Sequence, residues 1–161
     1  MDETVNVQTA PAAEHDDLED RFLLFRISDA LYGLSLSVVL EIINLQNVTY
    51  LPCVAPYVKG IINLRGKVVP VVDLRLKLGL PEREHDDMTC IIILSLHDMH
   101  IGLIVDSVSE VLTLSQEQLC SSPSLGCAEN RYLSSVAQFG EEVMLNLSAE
   151  RLFEDDLDLN L

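Results

Sequence analysis

A chain of 161 residues with 48% apolar residues, 5% aromatics and no Trp can form one domain or two small units cored with branched aliphatics. Its 26 acids against 10 Lys and Arg give a formal charge of −16, which repels phosphate backbones and excludes nucleic acid as a natural partner. No apolar run reaches bilayer-spanning length and Met1-Asp2-Glu3 lacks the basic start of a signal peptide, so a cytoplasmic chain without direct membrane insertion is expected.

The acidity lies mostly at the ends. Residues 1–20 hold seven acids and no Lys or Arg, and read as a disordered tail that folding does not need. Glu154, Asp155, Asp156 and Asp158 make 154–161 a second acidic tail, and without these eleven acids residues 21–153 carry only −5.

Between the tails the chain repeats itself. A shift of 69 residues lays Phe22–Asp29 on Ile91–Asp98, Tyr32-Gly33-Leu34 on Ile101-Gly102-Leu103, and Val39-Leu40-Glu41 on Val108-Ser109-Glu110. Each copy reads as a strand, a turn at Asp29 or Asp98, a second strand containing Gly, and a segment ending in Glu. A shift of 75 then lays Val68–Asp73 on Val143–Ser148, two helix N-cap types before Leu74–Leu78 and Ala149–Phe153. The change of shift implies about six extra residues in the second copy, for which Ser121–Gly126 is the natural loop. Repeated short strands ending in a helix predict two similar β-barrels side by side, the first over about 21–81 and the second over about 82–153. Residues 81–88 would be a hydrated polar bridge.

Within the first copy, Ile61–Leu64 and Val68–Val72 flank an Arg65-Gly66 turn, where Gly supplies a positive φ. The oddity is an Arg and a Lys (Lys67) at the tip of an apolar hairpin in so acidic a chain. Under the repeat, Arg65 falls on Gly140, so the turn does not need a side chain there. Arg also suits protein interfaces, where its planar donors bind carboxylates or carbonyls.

Reactive chemistry is sparse. There is no Gly-x-Gly, no Walker-type loop and no Gly-x-Ser-x-Gly elbow. His97 and His100 flank the Asp98 turn and read as a solvated hairpin tip, with no Cys nearby to complete a metal site. Cys53, Cys90, Cys120 and Cys127 show no CxxC pairing. Cys90 opens the apolar run to Leu94 and reads as a buried small hydrophobe, and Cys120 and Cys127 read as free thiols. No enzyme activity, cofactor or metal is expected.

The run Gly60-Ile-Ile-Asn-Leu-Arg65-Gly-Lys-Val-Val-Pro70-Val-Val-Asp73, preceded by Leu51-Pro52 and Tyr57-Val-Lys59, resembles the CheW family of chemotaxis coupling proteins. The resemblance covers about Arg21 to Phe153. It departs at Ser135 and Asn146, where the family often has Gly and Asp. It implies a mainly β fold of two five-stranded SH3-like barrels with short helices, joined by a third apolar core. It also implies an adaptor that joins the cytoplasmic tip of a methyl-accepting chemoreceptor to the regulatory domain of the histidine kinase CheA. Such a protein is cytoplasmic and recruited to membrane-associated receptor arrays. A coupling protein of a non-motility kinase pathway is the nearest alternative, and a small β-barrel metabolite-binding protein is one of a different class.

The resemblance links the arginine of Asn-Leu-Arg-Gly, here Arg65, to receptor signalling and an acid at Glu41 to coupling. Partner binding is therefore expected at Arg65, Glu41, Val39, Gly60 and Lys67. Glu41 has a repeat counterpart in Glu110, so a shared structural role stands beside the functional one. Val39, Leu34 and Leu36 read either as core or as exposed docking residues.

Overall fold

The structure is a computed structural model, and it describes residues 20–121 and 132–154. The acidic segments expected as tails, apart from Asp20 and Glu154, and most of the expected 121–126 loop lie outside the described residues, as does Cys127.

Strands β1 (Arg21–Ile27) and β2 (Ala30–Ser35) form a hairpin, and a 3-10 turn over Leu36–Val38 leads to β3 (Val39–Asn44). A second hairpin pairs β4 (Val58–Leu64) with β5 (Lys67–Asp73), which runs into the one-turn helix α1 (Leu74–Lys77). The second copy follows as β6 (Cys90–Leu96), β7 (Met99–Val105), β8 (Ser107–Thr113), the short β9 (Leu119–Ser121), β10 (Leu133–Phe139), β11 (Glu142–Leu147) and α2 (Ala149–Leu152). Both helices begin where a side chain caps them. Asp73 accepts from Arg75 N at 2.9 Å, and Ser148 accepts from Arg151 N at 3.2 Å.

The register reproduces the repeat residue by residue. Gly33 pairs with Leu24 and, in a parallel ladder, with Asn146. Gly102 pairs with Ile93 and, again in parallel, with Val71. A bulge falls at Leu40 between β3 and β6 and at Ser109 between β8 and β1. Asp73 N bonds to Tyr57 O and Ser148 N to Tyr132 O, both at 2.8 Å. The extra strand β9 occupies the place of a lone bridge between Thr49 and Ile61, so one sheet has six strands and the other five.

Sheet membership differs from the expected split at residue 81. The orders are β8-β1-β2-β11-β10-β9 and β3-β6-β7-β5-β4. Each sheet takes its β1–β2 or β6–β7 hairpin from one copy and its remaining strands from the other. Along the chain, β3 to β7 form a nested barrel between the two parts of a flanking barrel. The physical reason is burial: the hairpin strands are apolar on both faces, and they lie within the sheet, covered by the strands of the other copy.

Three apolar clusters follow from this arrangement. Phe22, Leu24, Leu31, Ala137 and Met144 fill the flanking barrel, and Ile62, Val69, Val71, Ile91 and Ile93 fill the nested one. Alternate residues of the same strands, among them Leu23, Phe25, Ile92 and Leu94, point into the largest cluster, which joins the barrels. The mainly β architecture of two SH3-like units joined by a third core is therefore observed.

Polar contacts reinforce this junction. The Asp106 carboxylate accepts from Ser28 N, Arg75 and Arg83 at 2.7, 2.7 and 2.9 Å, which ties the bridge between the copies to α1 and the β1–β2 turn. Asp86, read from sequence as merely hydrated, accepts from Met88 N at 2.8 Å and anchors this bridge locally. The buried Lys77 ammonium lies 4.1 Å from the centre of the Tyr57 ring and 5.5 Å from that of Tyr132, two repeat-related tyrosines. Cys90 is buried as expected, and burial pushes its thiol up to about 11.

Separated fragments 21–81 and 82–154 should each fail to fold, because each lacks strands from the middle of both sheets. Far-UV circular dichroism and urea titration of each fragment alone will show no cooperative unfolding transition.

Candidate partner-binding site

The Arg65-Gly66 turn is tight because both residues are left-handed, with φ of 52° and 87°, as a two-residue hairpin loop requires. Asn63 Oδ1 braces it by accepting from Gly66 N at 2.9 Å. A left-handed conformation suits Gly and burdens Arg, and the equivalent Gly140 has a φ of 63°. Local folding therefore disfavours an arginine at this position.

What Arg65 does is reach across to β3. Its Nη1 and Nη2 donate to Glu41 Oε2 and Oε1, each at 2.6 Å, in a two-pronged ion pair. The Arg65 side chain remains 69% exposed and that of Glu41 29%. The hydrogen bond from Arg65 holds the Glu41 carboxyl below the usual carboxylate range; partial desolvation opposes this, and the charges of Arg65 and His100 assist it. Glu110 makes no such pair among the described residues and is exposed, so the two glutamates do not share a structural role.

Around the ion pair lies an open cleft at the mouth of the nested barrel. Leu40, Leu64 and the fully buried Ile93 form its apolar wall, with Arg65, Lys67, Glu41 and His100 about it. The expected residues thus divide. Arg65, Glu41 and Lys67 come together. Val39 is 3% exposed and, with Leu34 and Leu36, belongs to the joining core, so the docking reading of these three is corrected. Gly60 is buried with φ +147°, and a Cβ there would sit 2.0 Å from Thr49 O, which makes it a backbone requirement. His97 sits at the exposed β6–β7 turn as expected, whereas His100 is half-buried in the cleft. The sequence carried a signal for His100: it shares a strand face with Gly102, which points into the barrel core.

Two SH3-like barrels joined through a shared core, with Arg65 latched over an apolar-walled cleft, define the architectural class. The family model described as the CheW-like domain matches residues 21–157, and the chain belongs to this family. It is 32% identical over 84% of its length to chemotaxis protein CheW of Klebsiella aerogenes, covering 82% of that protein. It is 40% identical over 65% of its length to chemotaxis protein CheW of Bacillus subtilis, covering 67% of it. The crystal structure of scaffolding protein TtCheW from Thermoanaerobacter tengcongensis superposes with a TM-score of 0.79 at 29% identity, over 84% of this chain and 93% of that one.

Two measurements test this geometry. In a carbon-13 titration, Arg65→Gly should move the Glu41 carboxyl up towards the ordinary range. Because the folded-state value is depressed, the stability gained from the pair is present above the unfolded carboxylate pKa and disappears as pH falls through the folded one. Gly60→Ala should cost about 2 kcal/mol or more and lower the thermal midpoint by several degrees, through the clash with Thr49 and the strained φ.

Proposed function

We propose that this chain is a non-enzymatic chemotaxis adaptor that couples the helical cytoplasmic tip of a chemoreceptor to the regulatory domain of the histidine kinase CheA. The observation that carries this reading is Arg65, held by Glu41 in a turn where the fold would favour Gly and left largely exposed. Family membership and the scaffolding protein among its structural relatives support the same role. Among the described residues no helix is long and apolar enough to cross a membrane, and association with receptor arrays would come through the protein partners.

The adaptor works by affinity difference. It binds one arrangement of receptor and kinase better than another and shifts the equilibrium by that difference alone. Apolar contacts supply affinity, and the charged pair at the cleft supplies specificity.

Arg65→Glu tests the reading. The variant sets a second carboxylate beside Glu41 and should leave circular dichroism and the thermal midpoint close to wild type. Pull-down with a receptor signalling tip should fall at least about tenfold, and receptor control of kinase activity should be lost. An unfolded variant, or a folded one with binding and control intact, overturns the assignment.

A further inference from the structure

The duplication supplies an internal control for the cleft. Position by position, the mouth of the flanking barrel carries Gly140 where the nested barrel has Arg65, Glu142 where it has Lys67, and Leu31 where it has His100. Two of these positions in the flanking mouth are satisfied internally. Leu31 is 2% exposed in that barrel's core, and Glu142 is paired with Arg26 at 2.8 Å. The fold therefore forms a stable barrel end with Gly, Glu and Leu at these places.

In the nested barrel all three positions are Arg, Lys or His, in a chain with 26 acids and 10 Lys and Arg. Arg65 is occupied by Glu41, but the Lys67 side chain is exposed and makes no ion pair or hydrogen bond among the described residues. His100 stands where the flanking barrel has its core Leu and lines the cleft beside Leu40, Leu64 and Ile93. Folding requires none of these three changes, and each favours an anionic group at the mouth.

We infer that Lys67 and His100, alongside Arg65, are the specificity-determining residues of a docking mouth. Its occupant is a partner helix that presents a carboxylate about one turn from an apolar side chain. The apolar side chain packs against Leu40 and Leu64, above the buried Ile93, and the carboxylate meets Lys67 and His100. Residues three or four apart on a helix share a face, which matches an apolar wall beside a cationic rim. This inference rests on the receptor-tip reading and names the chemistry by which the same site selects its partner.

The test substitutes the residues that the other barrel already uses: Lys67→Glu, His100→Leu and the double variant, in the full chain. The probe is a purified chemoreceptor cytoplasmic fragment containing the coiled-coil tip, with binding followed by calorimetry at several salt concentrations. Wild type should bind with an affinity that falls as salt rises. Lys67→Glu should bind about tenfold more weakly with a flatter salt dependence, and His100→Leu should also bind more weakly, with thermal midpoints close to wild type. One acidic-to-Lys change on the tip should restore binding to Lys67→Glu. If Lys67→Glu does not fold, Lys67→Gln carries the same expectation without charge reversal.

Tip binding by wild type that is undiminished in these variants overturns the mouth assignment and leaves the receptor reading standing. Failure of wild type to bind the tip overturns both. Self-association in sedimentation that Lys67→Glu abolishes would assign the mouth to a second copy of the chain and overturn the partner-helix proposal.

Discussion

The two parallel ladders, β2 with β11 and β5 with β7, are the constraint on which the architecture depends. Each brings a hairpin from one copy into register with the last strand of the other. Each ladder carries a glycine where a side chain would be crowded. A Cβ on Gly33 would lie 2.6 Å from Met144 Sδ, and one on Gly102 would lie 3.0 Å from Ile91 Cγ2. Once these ladders form, the alternate faces of β1 and β6 are divided between a private core and the shared one. Neither copy can bury both faces of its own hairpin.

Much of this was legible in the sequence because it is local. Turn position, N-cap chemistry and strand composition are written in a few consecutive residues, and the repeat preserved them in both copies. Which strands pair was not legible, because similarity between copies says which residues are alike and not which of them meet. Val39 could be read from the sequence either as core or as docking surface, and its strand pattern did not decide between them. The bulge at Leu40 breaks the alternation of β3, so the position of Glu41 is no guide to the face of Val39. At the site, Arg65 stood out as an anomaly of its turn. Its bond to Glu41 spans 24 residues and two separate strands, and no local pattern encodes it.

The interface between the barrels combines apolar burial with a few polar contacts. Asp106 gathers a backbone amide and two arginines, and Lys77 sits against tyrosines contributed by both copies. A cation held against aromatic faces away from water gains attraction from the rings. These contacts belong to only one side of the pseudo-symmetric pair: Lys77 corresponds to Leu152, and Asp106 to Ser37. The duplication has thus kept its ladders and allowed its junction to become asymmetric.

The nesting of one barrel within the other also fixes how charge is distributed. Residues 39–105, which supply every strand of the nested barrel, hold seven acids against six Lys and Arg, for −1. The other nineteen acids and four Lys and Arg lie before and after, for −15. Because the chain both enters and leaves through the flanking barrel, both strongly acidic ends are attached to the same side. Among the described residues the charge is likewise uneven: the flanking barrel holds nine acids and three Lys and Arg, for −6, while the nearly neutral nested barrel carries the Arg65 cleft. An acidic surface approaching within a Debye length, about 8 Å at physiological salt, is repelled by one end and meets little resistance at the other. The nested barrel thus offers an acidic surface the approach of least repulsion.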